Sequence, residues 1–304
     1  MNLYTKFLLL LLCAFFVSPA ISDPHSEKAA PDITLKTTHV RGNIYMLEGV
    51  GGFAGGNIGV SAGSDGLLLI DDQLGPMSDK ISTALSAINA GKLRFILNTH
   101  WHGDHTGNNA HFSKQATIIS HGNVRKRLMA DQQNFFGKSP AQPKQAWPLI
   151  TFDQAINIHF NDEDIRFIHY PHGHTDSDSV VYFPKSNVAH LGDHFFNGVF
   201  PFVDLDTGGN AFKLTDNIKN IIASLPEDAL VIPGHGGLSD MQGLKTYYEM
   251  LKSTTSHVQE AAAEGESLED IQFGGLPSDW TGWGGGFITQ EHWIKLIYQS
   301  LPKK

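Results

Sequence analysis

Short apolar segments, separated by glycine, asparagine and charged residues, dominate the chain from residue 33 onward. β-Branched and aromatic residues fill these segments, which is typical of strands, and the turn residues between the first four indicate consecutive hairpins. We therefore predict strands at residues 33–40, 43–48, 57–62, 66–70, 94–97, 117–120, 155–159, 165–169, 179–183, 188–191 and 229–232.

A helical repeat of apolar positions appears between and after these strands. Residues 76–90 begin with a proline, and Ile81 and Leu85 follow at helical spacing. Further helices are predicted at residues 108–113, 122–130, 213–224, 241–263 and 290–301. The basic residues 125–127 are predicted to face solvent. Two strand-rich halves, each followed by helices, predict an α/β protein in which two packed sheets have helices outside them, as one domain of four layers.

The first 22 residues have a different pattern. Residues 7–17 are an unbroken apolar run after a start with one positive charge, and small residues follow at Ala20 and Ser22. This layout is that of a secretory signal peptide cleaved before Asp23. A membrane-spanning helix needs about 20 apolar residues, so no stable membrane anchor is expected. We predict a signal peptide at 1–22, one folded domain at 23–304, and export to a periplasm.

Composition narrows the possible chemistry. The 304 residues include 16 His but only 1 Cys, and that residue, Cys13, lies in the predicted signal peptide. A single cysteine excludes an internal disulfide framework and any multi-cysteine zinc or iron–sulfur site. The formal net charge of −9 argues against a nucleic-acid partner. The abundance of histidine therefore becomes the main chemical signal.

The densest group of histidines directly follows a predicted strand. Residues 98–105 are Asn-Thr-His-Trp-His-Gly-Asp-His. Side chains two residues apart in an extended segment share a face, so His100 and His102 can bind one ion together. A glycine then lets the backbone turn, so Asp104 and His105 can face a second ion. Nitrogen and oxygen donors of this kind suit zinc.

Further ligands are expected on loops at the ends of later strands, because four side chains cannot complete two metal shells. His174 comes shortly before one predicted strand, and Asp193 and His235 come just after two others. Each lies beside a glycine, where the backbone can approach an ion closely. The sequence therefore predicts a metal site built from histidine and aspartate alone.

With these motifs the chain resembles the metallo-β-lactamase superfamily, from about residue 33 to the C-terminus. The superfamily's His-x-His-x-Asp-His motif matches residues 100–105, and its later motifs match, in order, Gly173-His174, Gly192-Asp193 and Gly234-His235. The resemblance implies a four-layer αββα sandwich with the site at the sheet edges. It also implies a hydrolase with a small-molecule substrate.

The resemblance further implies two Zn²⁺ ions, with Asp193 as a bridge between them. The first ion would be bound by His100, His102 and His174, and the second by Asp104, His105 and His235. Zinc lowers the pKa of a bound water towards neutrality, so that a hydroxide nucleophile exists at working pH. Asp104 is the expected catalytic residue, because it can orient the nucleophile and take part in proton transfer.

Export and the residue at position 193 bear on the substrate. β-Lactamases of this fold commonly have cysteine or serine at that position. A chain with an aspartate there more closely resembles glyoxalase II, lactonases and phosphodiesterases. Export suits an enzyme that meets antibiotics. We predict β-lactam-type amides as the substrate, with thioesters, lactones or phosphodiesters as the alternative. Seven aromatic residues are candidates to line the substrate cleft, with ordinary packing as the alternative for each: Phe53, Phe135, Phe136, Trp147, Trp280, Trp283 and Phe287.

Two other classes of protein are weighed against a hydrolase. A di-iron oxidoreductase of this fold would have a glutamate within the first motif, and His102 argues against it. A metal-binding protein without catalysis would bind zinc but show no turnover when purified. The sequence makes no prediction of the oligomeric state.

Overall fold

Two β-sheets form the centre of the computed structural model of this chain, which describes residues 33–89, 91–134 and 137–302. The predicted signal peptide and the cleft candidates Phe135 and Phe136 lie outside these residues. The strands are β1 (Thr34–Arg41), β2 (Ile44–Val50), β3 (Ile58–Gly63), β4 (Gly66–Ile70), β5 (Leu93–Asn98), β6 (Thr117–His121), β7 (Gln132–Asn134), β8 (Gly137–Ser139), β9 (Ile150–Phe152), β10 (Ala155–Phe160), β11 (Glu163–His169), β12 (Ser179–Phe183), β13 (Val188–His190), β14 (Leu230–Ile232) and β15 (Ser239–Asp240).

The order of the strands brings several strand ends together. The first sheet has the order β1-β2-β3-β4-β5-β6-β9, the second has the order β10-β11-β12-β13-β14-β15, and β7 pairs only with β8. Strands β4, β5, β6 and β9 are parallel, as are β13 and β14. The carboxyl ends of parallel strands meet at one edge of a sheet, and ligand sites form at such edges.

Helices cover the outer face of each sheet. They are α1 (Ser78–Ile88), α2 (Gly103–Thr106), α3 (Asn109–Phe112), α4 (Gly122–Leu128), α5 (Ala211–Ser224), α6 (Met241–Glu264), α7 (Leu268–Gly274) and α8 (Gln290–Ser300). Residues of α1 and α3 pack on the first sheet, and residues of α5, α6 and α8 pack on the second. None of these described helices has the length and apolar character needed to cross a bilayer.

Strand β4 contributes side chains to two hydrophobic cores, one between the two sheets and one between the first sheet and its helices. Leu68 and Ile70 pack between the sheets with Phe167 of β11. Leu67 and Leu69 point the other way and pack under α1. A strand buried on both faces has an uninterrupted apolar sequence, as this one does. The predicted four-layer αββα sandwich is confirmed.

Several short elements were not predicted. The hairpin β7–β8 consists of Gln-Gln-Asn and Gly-Lys-Ser, which contain no apolar alternation. Strand β15 has two residues, and β9 has three. Helix α7 begins at a capping box between Ser267 and Asp270. That serine and aspartate, three residues apart, are a local signal that would have revealed the helix.

The prediction that residues 125–127 face solvent is wrong for two of the three residues. Arg125 is half-buried, and its Nη1 donates to the carbonyl of Pro148 at 2.6 Å. Arg127 is half-buried as well. Its Nε and Nη2 donate to the two carboxylate oxygens of Asp176 at 2.7 and 2.6 Å, and Nη2 also donates to the carbonyl of Thr207 at 3.0 Å. The guanidinium lies 5.9 Å from the ring centre of Trp101. A planar guanidinium suits such two-point pairing. Arg127 therefore connects α4 to the loop that follows His174.

Candidate metal centre

The structure brings all seven predicted ligands together at the edge where the parallel strands end. His100 and His102 follow β5, and α2 then carries the next two ligands. The loop before β12 carries one ligand, a 3-10 helix after β13 carries another, and the last follows β14. In chain order these five are Asp104, His105, His174, Asp193 and His235.

Four of the seven residues form a first group, consisting of His100, His102, His174 and Asp193. Nδ1 of His102 lies 3.1 Å from Nε2 of His100 and 2.9 Å from Nε2 of His174. Oδ2 of Asp193 lies 3.8 and 3.4 Å from the same two Nε2 atoms. Four ligands in a tetrahedron around one zinc ion stand about 3.3 Å apart. These donors therefore have the spacing that one shared ion requires.

The remaining three residues form a second group, consisting of Asp104, His105 and His235. Oδ2 of Asp104 lies 3.4 Å from Nε2 of His105 and 3.3 Å from Nε2 of His235. The same two Nε2 atoms lie 3.1 and 3.5 Å from Oδ1 of Asp193. Asp193 thus presents one carboxylate oxygen to each group. Asp104 and His235 are about a fifth exposed, so the site opens to solvent at the second group.

Three histidines have their outward ring nitrogens fixed by a hydrogen bond. The donor and acceptor are 2.8 Å apart for His102 Nε2 and Asp204 Oδ2, for His105 Nδ1 and Asp71 Oδ2, and for His174 Nδ1 and the Phe202 carbonyl. Each outward N–H donates, which directs the other ring nitrogen into the cluster. Such partners orient the histidine ligands of metal sites.

Asp71 positions two of the histidines. The hydroxyl of Thr99 donates to Asp71 Oδ2 at 2.8 Å, so its oxygen is left to accept from Nδ1 of His100 at 3.1 Å. Oδ2 of Asp71 also accepts from His105. Neither Asp71 nor Asp204 was predicted. Asp71 directly follows the strand β4, as the ligands follow their strands, which is a signal that would have found it. Asp204 lies in an irregular loop and has no such signal.

Exchanging Asp71 for asparagine is expected to weaken zinc binding by about 10- to 100-fold, the usual loss when the partner of a metal-ligating histidine is removed. Asparagine tolerates the φ of 63° at this position, so the backbone is retained. The asparagine amide, however, lacks the negative charge of the carboxylate that accepts the hydrogen bond from Nδ1 of His105. The affinity is measured by competition with a chromogenic chelator.

Asp162→Asn is the matched control, because Asp162 also has a positive φ, of 61°, but its side chain is 82% exposed and pairs with Lys185. This variant should bind zinc like the unchanged protein. Equal affinities in the two variants would show that Asp71 does not support the site.

The two groups differ in the charge of their histidines. Burial lowers the pKa of His100 well below its usual range and, against the opposing charge of Asp193, lowers the pKa of His174 to about 4. Burial acts in the same direction on the pKa of His105 and of His235, but the carboxylates of Asp193 and Asp104 together outweigh it. The pKa of His235 rises to about 9, and that of His105 rises well above its usual range.

The two carboxylates respond in the opposite sense. Burial acts to raise the pKa of Asp104 and of Asp193, but the charge of His105, together with that of His235, holds both values well below the usual range. The second group therefore holds ionised partners of both signs. A divalent cation can replace the protons of the two histidines without leaving the carboxylates unbalanced.

Two buried atoms test whether the cluster fits a metal. Nε2 of His105 and Oδ1 of Asp193 have no hydrogen-bond partner among the described residues, although they lie 3.1 Å apart. Leaving a buried polar atom unsatisfied costs about 1–3 kcal/mol. A cation between these atoms would bind both. The nitrogen and oxygen donors also match the ligand types that zinc takes. The residues present therefore fit a metal ion.

Two glycines make the close packing around the ligands possible. A Cβ on Gly56 would lie 2.1 Å from Cε1 of His105, and a Cβ on Gly234 would lie 2.1 Å from Oδ1 of Asp193. Any larger residue at either position would displace a ligand. This explains in physical terms why glycines stand beside the site.

A serine nucleophile does not account for the site. Residues 59–63 are Gly-Val-Ser-Ala-Gly, but Ser61 lies inside β3, fully buried, and its hydroxyl accepts from Nδ2 of Asn161 at 3.0 Å. This sequence has the form Gly-x-Ser-x-Gly, the motif of serine hydrolases, in which the nucleophilic serine stands on an exposed turn between a strand and a helix. Ser61 therefore has a structural role.

Comparison with known proteins agrees with the geometry. Residues 51–235 match the family model of the metallo-beta-lactamase superfamily, so the chain belongs to that superfamily of metallo-hydrolases. The probable metallo-hydrolase YqgX of Bacillus subtilis (strain 168) is 30% identical over 152 residues, which are 48% of this chain and 70% of that protein. An uncharacterized protein of Aquifex aeolicus (strain VF5) is 28% identical over 157 residues, 50% of this chain and 72% of its own length.

Solved structures share the fold. The DIM-1 metallo-beta-lactamase superposes with a TM-score of 0.57 at 18% identity, covering 73% of this chain and 99% of that one. A double mutant of the sec-alkyl sulfatase PisA1 gives a TM-score of 0.65 at 14% identity, covering 87% of this chain and 50% of that one. At these identities the likeness concerns the fold alone.

Proposed function

We propose that this chain is an exported dinuclear zinc hydrolase. The observation that carries the proposal is the position of Asp193, whose two carboxylate oxygens face two separate groups of histidines. A structural zinc site would be closed by four protein ligands. Here Asp193 is shared between the two groups, so the second group has only three ligands of its own among the described residues, and it is open to solvent at Asp104 and His235, which leaves room for water and substrate.

Asp104 and His235 would have different roles in hydrolysis. Zinc ions, when bound, lower the pKa of a coordinated water and polarise a substrate carbonyl. Asp104 stands on the solvent side, and its depressed pKa keeps the carboxylate ionised, so it can accept a hydrogen bond from a water and orient that water. His235 stacks against the rings of Phe53 and Phe196, whose centres are 5.9 and 5.2 Å away, and these contacts restrict the orientation of its ring.

β-Lactam-type amides are the first substrate class that we propose. Predicted export favours it, because an exported enzyme meets antibiotics outside the cytoplasm. Thioesters, lactones and phosphodiesters are the second class. The observation that favours them is that the residue between the two groups of ligands, at position 193, is an aspartate. Hydrolysis is common to both classes, so the same residues would act in each.

The test is to express the whole chain in a bacterium, purify it from the periplasmic fraction, and measure zinc and iron. We expect a mature chain that begins at Asp23, two zinc ions per chain, and turnover of a chromogenic cephalosporin that chelation abolishes and zinc restores. Fewer than one tightly bound metal per chain would contradict the dinuclear site.

The substrate classes are separated by screening a thioester, a lactone and a phosphodiester beside the cephalosporin. Full zinc loading without cephalosporin turnover would remove the β-lactam proposal. Full loading without turnover of any of the four would instead identify a metal-binding protein without catalysis.

A further inference from the structure

The C-terminal segment places an aromatic ring against Phe202, which itself packs on the first group of ligands. Phe202 lies against the rings of His102 and His174, at 6.0 and 5.7 Å between ring centres. The ring of Phe287 meets that of Phe202 at 6.4 Å and 82°. Phe287 lies beyond the superfamily match, which ends at residue 235. This end of the site is therefore shaped by residues that the shared motifs do not include.

Phe287 is held in place by its neighbours along the chain. A Cβ on Gly286 would lie 3.0 Å from Val199, so the backbone there is tightly packed. Ile288 is buried in the core under α8, and Phe200 N donates to the carbonyl of Trp283 at 3.1 Å. The backbone before and after Phe287 is thus fixed, so the position of this residue does not depend on a bound molecule.

Phe287 nevertheless remains 62% exposed, while Phe202 behind it is 6% exposed. Exposed aromatic rings that are held beside a cluster of polar groups are typical of ligand sites, in which apolar walls surround a few polar atoms. The exposed face of Phe287 and the ring of Phe202 in contact with it are both apolar, so this surface suits an uncharged alkyl or aryl group.

We propose that Phe287, backed by Phe202, forms an apolar subsite at the first-group end of the metal centre, and that it takes an alkyl or aryl group next to the bond that is hydrolysed. This inference rests on the proposed function. Phe53 is similarly exposed, at 63%, but it stacks on His235 at the second-group end. The two rings therefore distinguish the two ends of the site.

The test uses binding of straight-chain alkyl hydroxamates, whose head group chelates zinc, to the zinc-loaded protein. Full burial of one methylene strengthens binding about fourfold, and contact along one wall about twofold. Calorimetry should therefore show a dissociation constant about 60-fold lower for the eight-carbon than for the two-carbon hydroxamate. In Phe287→Ala this gain should fall to less than about fivefold, while the two-carbon compound binds as before.

Two variants serve as controls. Phe273→Ala removes a ring that is 97% exposed on α7, and Phe53→Ala removes the ring at the other end. Phe273→Ala should keep the zinc loading and the dependence on chain length. Phe53→Ala loses the ring that stacks on His235, so it is compared at equal zinc loading, where it should keep the dependence on chain length. Equal binding at every chain length, or a gain lost in Phe53→Ala instead, would overturn the subsite while leaving the hydrolase intact. A protein that binds no zinc would overturn the proposed function and the subsite with it.

Discussion

Replacing Asp193 with alanine is expected to lower the zinc content from two ions to one or none and to reduce hydrolysis by at least about 100- to 1,000-fold. Its carboxylate lies within 4 Å of the Nε2 atoms of four histidines, two in each group. Removing one partner from a buried charged cluster costs about 3–5 kcal/mol, because the remaining charges stay buried without compensation. Zinc per chain and kcat/KM measure the two effects.

Two further variants separate charge from shape. Asp193→Asn retains the volume and one oxygen but lacks the negative charge, so we expect it to keep one ion and lose the other. Asp216→Ala removes a carboxylate that is 64% exposed on α5 and 3.7 Å from Lys213, and it should change neither measurement. Two tightly bound zinc ions in Asp193→Ala would show that this residue is not the bridge.

The seven candidate ligands could be predicted from the sequence because each belongs to a short motif at the end of a strand. His100 follows β5 within two residues, and His235 follows β14 within three. The end of β5 in the first sheet and the ends of β13 and β14 in the second are brought together by the fold itself. Local motifs were therefore sufficient to predict which side chains would meet.

The residues that support the ligands could not be predicted in this way. His102 and Asp204 are 102 positions apart, and the Nε of Arg127 meets Asp176 across 49 positions. Such pairs depend on how irregular loops pack, and the periodic pattern of apolar residues in the sequence does not predict this packing. Asp71 is the exception, since it follows β4 directly. A search of every strand end for carboxylates would have included it.

The fold was predictable to the extent that its strands are long and apolar. Strands β4 and β12 have the predicted bounds, because turn residues limit an apolar run on both sides. The hairpin β7–β8 and strand β15 have two or three polar residues per strand. Their pairing follows from the chain around them, which a local pattern cannot show.

Acidification is expected to release the zinc ion of the second group before that of the first. In the metal-free protein the raised pKa values of His105 and His235, about 9 for the latter, keep both rings protonated near neutrality. Zinc must displace these protons, so its affinity there falls by up to about 100-fold for each unit by which the pH drops below 9. His100 and His174 have lowered pKa values, about 4 for the latter, so they are already neutral and bind zinc without releasing protons.

Zinc per chain after dialysis between pH 8.5 and 5.5 should therefore fall from two to one, with a plateau at one. Calorimetry at pH 7 in two buffers of different ionisation enthalpy should show about two protons released with the second ion and none from His100 or His174 with the first. In His235→Ala the second binding event should release one proton fewer. The difference in proton release follows directly from the opposite pKa shifts of the histidines in the two groups. Simultaneous loss of both ions on acidification would therefore mean that the histidines of the two groups do not differ in protonation, which would contradict the prediction.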